Sequence, residues 1–160
     1  MGSVGKKIAV ILVLMRQEIE KQIEIWGDQI NNHDGWLKPY LKARLTICHD
    51  SCDKLLEFYK LERKQINNSL VERVANEMTM NYNKQYKKQS QKVVILEVEE
   101  KTLPAGMFES YLKWCICIES LNDKYILDLE RRGIIDEFKK LNSAFKAYHD
   151  FFEKELIITV

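Results

Sequence analysis

The stretch L-K-A-R-L-T-I-C-H-D-S-C-D-K-L-L-E-F-Y-K-L-E-R-K-Q-I, Leu41 to Ile66, decides the fold class of this 160-residue chain. Apolar residues recur at Leu41, Leu45, Cys48, Cys52, Leu55, Tyr59 and Ile66, in steps of four and three with one step of seven. A helix with 3.6 residues per turn brings such positions onto one stripe, whereas a half-buried strand would alternate at every second residue. The spacing predicts a helix that runs to about Ile66. The same stretch holds two of the four cysteines, together with Arg44 and His49.

On the N-terminal side, Met1 to Gly5 reads as a flexible start. From Lys6 onward Ile8, Leu12, Met15, Ile19, Ile23, Trp26 and Ile30 keep helical spacing, for about six turns. Ile8 to Leu14 is also rich in β-branched residues, which leaves a strand open there. Asn31 to Gly35 is a polar turn, and Pro39 stands where the first turn of a helix tolerates proline.

On the C-terminal side, Asn67-Asn68 breaks the helical stripe. Ser69 with Glu72 three residues later forms the pattern of a capping box, and Leu70, Val74, Met78 and Tyr82 continue a further helix. Val93 to Glu99 alternates like a strand. From about Pro104 to Arg132, Phe108, Leu112, Cys115, Ile118, Tyr125 and Leu129 face inward on a fourth helix, which Gly133 terminates. A second clean heptad follows at Ile134, Phe138, Leu141, Phe145, Tyr148, Phe152 and Leu156. The expectation is a single all-α domain over residues 1–160, an antiparallel bundle of four to five long helices. A minor β element from residues 8–14, 93–99 and 157–160 is the alternative.

Composition narrows the function classes. Apolar residues make up 46% and charged residues 31%, which are the proportions of a chain that folds. Basic and acidic residues number 25 and 24, so no global field steers the chain to nucleic acid or to an anionic membrane. Cysteines at i and i+4 or i and i+2 of a helix are poorly placed for bridging, which favours a reducing, intracellular and cytoplasmic setting. Lys6-Lys7 before Ile8 to Met15 imitates the opening of a signal peptide, yet Arg16, Gln17 and Glu18 follow where a small-residue cleavage site belongs. That run is too short to span a bilayer. Asn67-Asn68-Ser69 fits a glycosylation acceptor, a pattern with meaning only in a secreted chain.

Candidate chemistry is sparse. Cys48, Cys52 and Cys115 are possible metal ligands from two helices, but three small apolar core residues are the simpler reading and no cofactor is expected. No nucleophile elbow, Gly-rich phosphate loop or Glu-x-x-His pair occurs. Arg44 and His49 form an R-x4-H pattern, which is similar to the motif of HEPN-type ribonucleases, helical domains whose Arg and His act on RNA. That resemblance covers one short motif and implies a catalytic pair on RNA. On a regular helix the two residues lie about 140° apart around the axis. Lys84, Lys87, Lys88 and Lys92, interleaved with Tyr82 and Tyr86, make the best basic patch for phosphates and bases.

The aromatic residues are the more telling excess. Trp26, Trp36, Trp114, Phe58, Phe151 and Tyr111 lie off the stripes or at their edges. Clustered exposed aromatics mark interfaces. The leading expectation is therefore a non-enzymatic module that works by protein–protein contact, through self-association or by docking a partner's helix, with Trp36, Phe58, Trp114 and Phe151 at the interface. The alternative is an RNA-directed protein that uses Arg44, His49 and the Lys84–Lys92 stretch.

Overall fold

A computed structural model of the chain describes residues 2–28, 37–86 and 107–151, and every element among them is helical. In chain order these are α1 (Gly2–Asp28), α2 (Leu37–Phe58), α3 (Lys60–Arg63), α4 (Asn68–Tyr86), α5 (Met107–Lys124), α6 (Ile126–Arg131) and α7 (Ile135–Phe151). Residues 93–99 and 157–160 lie outside the described residues. None of the described helices is long and apolar enough to cross a membrane.

The strand alternative fails at residues 8–14, which belong to the middle of α1. The reason is the environment of the helix. Ile8, Ala9, Val10, Ile11 and Leu12 are consecutive and all buried, whereas an amphipathic surface helix would expose about half of them. Helix α1 packs against α2 and α5, and also against α3 and α4, so it is enclosed on several sides. A run that is apolar all round is then the proper sequence for a helix, and its β-branching costs only a few tenths of a kcal/mol per residue. The helix is present from Gly2, and Gly5 is buried against the α3–α6 region.

The apolar stripe is inside from Leu41 to Tyr59, and Ile66 is partly buried. Leu41, Leu45, Cys48, Cys52, Leu55 and Tyr59 each have zero exposure. The helix stops earlier than the spacing predicts, however. Helix α2 ends at Phe58, and the Tyr59 amide donates both to Leu55 O at 3.2 Å and to Leu56 O at 3.1 Å. Neither glycine nor proline marks this break, because its cause is tertiary: buried Tyr59 is held in place by another helix, as described below. The next helix starts at Asn68, and its cap is Asn67 rather than Ser69, since Asn67 Oδ1 accepts the Leu70 amide at 2.8 Å. The single helix expected over 104–132 is likewise divided at Tyr125 into α5 and α6.

Gly133 does what the sequence predicts. Its φ is +72°, the Ile134 amide donates to Leu129 O and the Gly133 amide to Glu130 O, each at 3.1 Å. That pair of bonds is the Schellman closure, in which glycine takes the left-handed position without a Cβ penalty. Leu129 and Ile134, both buried, supply the hydrophobic contact that accompanies it.

Polar contacts give the sense of the packed helices. Arg16 and Glu20 of α1 reach Asp53 and His49 of α2, so the residue numbers run oppositely along the pair. Lys54 of α2 reaches Glu137 of α7 at 3.7 Å, and Lys113 of α5 lies 4.0 Å from Glu18 of α1. Aromatic side chains connect α5 to α7: the Trp114 ring centroid is 4.9 Å from those of Phe145 and Tyr148. The offset, edge-directed geometry suits ring quadrupoles.

Candidate functional site

Two tyrosines mark the two ends of the packed helices, and the end around Tyr59 leaves apolar surface in water. Tyr59 is buried at the close of α2, and its hydroxyl donates to Asp128 Oδ2 of α6 at 2.5 Å. The Arg132 guanidinium lies 4.6 Å over the Tyr59 ring, 3.2 Å from Asp128, and 2.5 Å from Glu62 of α3. Burial, together with the bond to the Asp128 carboxylate, pushes the Tyr59 phenol well above its ordinary pKa, so it remains a donor at all physiological pH values. Arg132 is therefore a clasp that fastens α3 and α6 to the end of α2, and not only a cation at a helix terminus.

The start of α1 passes under this clasp at Gly5. A Cβ placed there would lie 2.8 Å from both Arg132 Nη2 and Glu62 Cγ. Glycine at this point permits the close approach and explains a residue that otherwise weakens a helix interior.

Around the clasp four apolar side chains face solvent. Phe58 is 57% exposed, Leu61 73%, Leu127 55% and Val4 37%. They come from α2, α3, α6 and α1, which meet through Tyr59, Asp128, Arg132 and Gly5. Leu61, Leu127 and Val4 were not legible as a set in the sequence, since the breaks at Tyr59 and Tyr125 place Leu61 and Leu127 on short helices, and the packing of Gly5 beside Arg132 and Glu62 brings the start of α1 to them. Phe58 was expected at an interface and is exposed. Charges of both signs border the set, with exposed Glu57 and Lys60 3.7 Å apart.

Trp114, also expected at an interface, has zero exposure and is a core residue. Trp36 lies outside the described residues. Phe151 ends α7. Trp26 and Tyr111 are core residues as well, at 0% and 4% exposure.

Arg44 and His49 have different neighbours. Arg44 lies 5.2 Å from the centroid of the Tyr40 ring, one turn back on its own helix. His49 turns to α1, with Nε2 3.1 Å from Glu20 Oε1 and Nδ1 3.6 Å from Asp53 Oδ2. Arg16 completes that group through Asp53 at 2.5 Å and Glu20 at 3.3 Å. The bond to Asp53 raises the Arg16 pKa further. This is an interhelical charge network on α1 and α2, and the structure does not bring Arg44 into it. Of the basic stretch, Lys84 is exposed on α4, while Lys87, Lys88 and Lys92 lie outside the described residues.

Cys48, Cys52, Cys115 and Cys117 are free thiols in the core. Burial pushes Cys52 up to about 12 and raises Cys48 and Cys117 as well, so these sulfurs stay protonated. The Cys52 thiol donates to Leu12 O at 3.3 Å, which ties α2 to α1. Among the described residues no three His, Cys, Asp or Glu side chains gather as a metal site, and Cys48, Cys52 and Cys115 serve packing.

No protein family, curated protein or solved structure matches this chain.

Proposed function

We propose that this chain is a non-enzymatic interaction module that acts through protein–protein contact, and in the first place by self-association. The observation that supports this most is the group of exposed apolar side chains, Phe58, Leu61, Leu127 and Val4, collected at one end around a charged clasp. An apolar centre with a polar rim is the usual anatomy of an interface. The near-zero net charge puts no long-range repulsion between copies, and exposed charges of both signs suit a self-complementary contact. We also read the long helices α1, α2, α5 and α7 as an antiparallel bundle, with α4 laid along α1. In that arrangement the breaks at Tyr59 and Tyr125 cap one end of the bundle and carry the apolar residues there.

The experiment is light scattering over a concentration series in reductant, with wild-type protein and with Leu61→Asp and Phe58→Asp. The expected result is a dimer that both substitutions convert to monomer while the unfolding midpoint stays within a few degrees. A wild-type monomer at every concentration would overturn self-association. A dimer unaffected by either substitution would overturn this end as its interface.

A further inference from the structure

Basic and acidic residues balance over the whole chain, at 25 and 24, but not at the end around Tyr59. That end is made by residues 2–7 of α1, residues 59–67 between α2 and α4, and residues 125–134 between α5 and α7. Together they hold seven basic and three acidic residues, against eighteen and twenty-one in the rest of the chain. Ion pairs take up part of this charge. Arg132 joins Glu62 and Asp128, Lys60 lies 3.7 Å from Glu57, and Lys7 lies 4.0 Å from Glu77. Among the described residues Lys6, Arg63, Lys64 and Arg131 have no ion-pair partner, and of the three acidic residues only Glu130 is left without one. Arg63, Lys64 and Arg131 are exposed, and Lys6 is half-buried.

The same end carries the exposed side chains Phe58, Leu61, Leu127 and Val4. A nucleic acid would match the free cations and leave those four apolar groups in water. An anionic bilayer matches both. Its phosphate oxygens meet the cations at the level of the headgroups, and the boundary of the hydrocarbon lies just beneath for the apolar side chains. Stable binding to a lipid surface takes both signals, because either alone is marginal. The excess of acidic residues over the rest of the chain turns this end, and no other, towards a negative surface. The Arg132 clasp holds α3 and α6 in place, so the surface is formed in advance.

We propose that this end docks on an anionic lipid bilayer, with Phe58, Leu61, Leu127 and Val4 in the headgroup boundary and Lys6, Arg63, Lys64 and Arg131 on the lipid phosphates. The proposal goes beyond self-association and does not rest on it. A bilayer and a second copy would cover the same side chains, but each has its own readout. The test is co-sedimentation of the full chain with vesicles of phosphatidylcholine alone and of phosphatidylcholine with about 30% phosphatidylserine. Binding to the anionic vesicles should be at least about tenfold tighter than to the neutral ones, and should weaken as salt is raised. Arg63→Gln together with Lys64→Gln should weaken it at least about tenfold, and Leu61→Gln about fivefold to tenfold. All three positions are exposed, and an unchanged unfolding midpoint checks that the variants are folded. No binding to anionic vesicles at about 1 mM lipid, or equal binding to neutral ones, overturns the proposal. Undiminished binding by Leu61→Gln also overturns it, since the contact would then be the purely electrostatic one that a nucleic acid makes equally well. A wild-type monomer that binds anionic vesicles would overturn self-association and uphold docking, and a dimer that does not bind them would do the reverse.

Discussion

The two ends of this molecule are each organised on a buried tyrosine, and they solve the same problem with different partners. At one end Tyr148 is fully buried, accepts a hydrogen bond from Trp26 Nε1 at 3.0 Å and donates to Gln22 Oε1. Trp26 and Gln22 are neutral, the rings of Trp114 and Tyr111 pack against Tyr148, and Phe145 packs on Trp114. At the other end Tyr59 donates to the Asp128 carboxylate, and Arg132 covers its ring. A neutral network can be closed over by aromatic rings, because no charge has to be taken out of water. A network built on Asp128, Arg132 and Glu62 stays nearer the rim, where those side chains keep between 17% and 31% of their surface in water. Short helices α3 and α6 then lie at the edge, and Leu61 and Leu127 are left in solvent while Leu129 is buried. The difference teaches that the exposed apolar end follows from the use of charges to fasten it.

Removing a ring from the closed end tests this most severely. Trp114→Ala should lower the unfolding free energy by about 3–5 kcal/mol in a urea titration, the cost of a large buried aromatic. A loss below about 1 kcal/mol would show that the closed end is not the stabilising one.

Deleting the two hydroxyls compares the ends directly. Tyr148→Phe leaves Trp26 Nε1 and Gln22 Oε1 buried without their partner, an expected loss of about 1–3 kcal/mol. Tyr59→Phe should cost about 1 kcal/mol or less, because Asp128 keeps Arg132. Equal losses from the same urea titrations would remove the distinction between the ends.

Titration in the two directions separates the interior from the surface. The folded state holds the Cys52 thiol up to about 12 against an ordinary value of 9.0, with Cys48 and Cys117 raised also. Groups whose pKa is raised by folding stabilise the protein fully below their unfolded value and lose that contribution as pH climbs above it. Stability should therefore be level to about pH 8 and fall beyond about pH 9. The slope expected is about 1.4 kcal/mol per pH unit for each thiol that ionises only on unfolding. Cys52→Ala should reduce that slope by one thiol's share, and an unchanged slope would assign the fall to other groups.

The smallest effect is expected on the exposed face of α4. Lys124 Nζ is 2.7 Å from Glu77, whose pKa it lowers, chiefly by that hydrogen bond. A carboxylate lowered by folding contributes above its unfolded pKa and loses the contribution as pH falls through the folded value, here in the acid range. Lys124→Met should cost about 0.2–1 kcal/mol at neutral pH and nothing once Glu77 is protonated, as followed by thermal unfolding at neutral and acid pH.

Much of the fold was legible in the sequence. The stripe from Leu41 to Tyr59 and that from Ile134 to Tyr148 specify which faces are buried, because helical periodicity is a property of the chain and needs no partner. Gly133 specifies its own turn, because only glycine takes φ of +72° without a steric penalty. Local chemistry sets such features, and one sequence suffices to read them. The candidate surface was legible only through Phe58, whereas Trp114, chosen on the same grounds, is in the core.

What only the tertiary structure decided is where helices without a local breaker stop and what long side chains reach. Tyr59 ends α2 because Asp128, far along the chain, takes its hydroxyl, and a stripe of correct spacing carries no sign of that. Ile8 to Leu12 is helical because neighbours cover it on several sides, although its β-branching suits a strand equally well. His49 faces Glu20 and Asp53 while Arg44 lies on Tyr40, a divergence set by the rotation between them and by which helix packs on each side. In each case the free energy comes from contacts between residues distant in sequence, and those contacts exist only once the chain has folded.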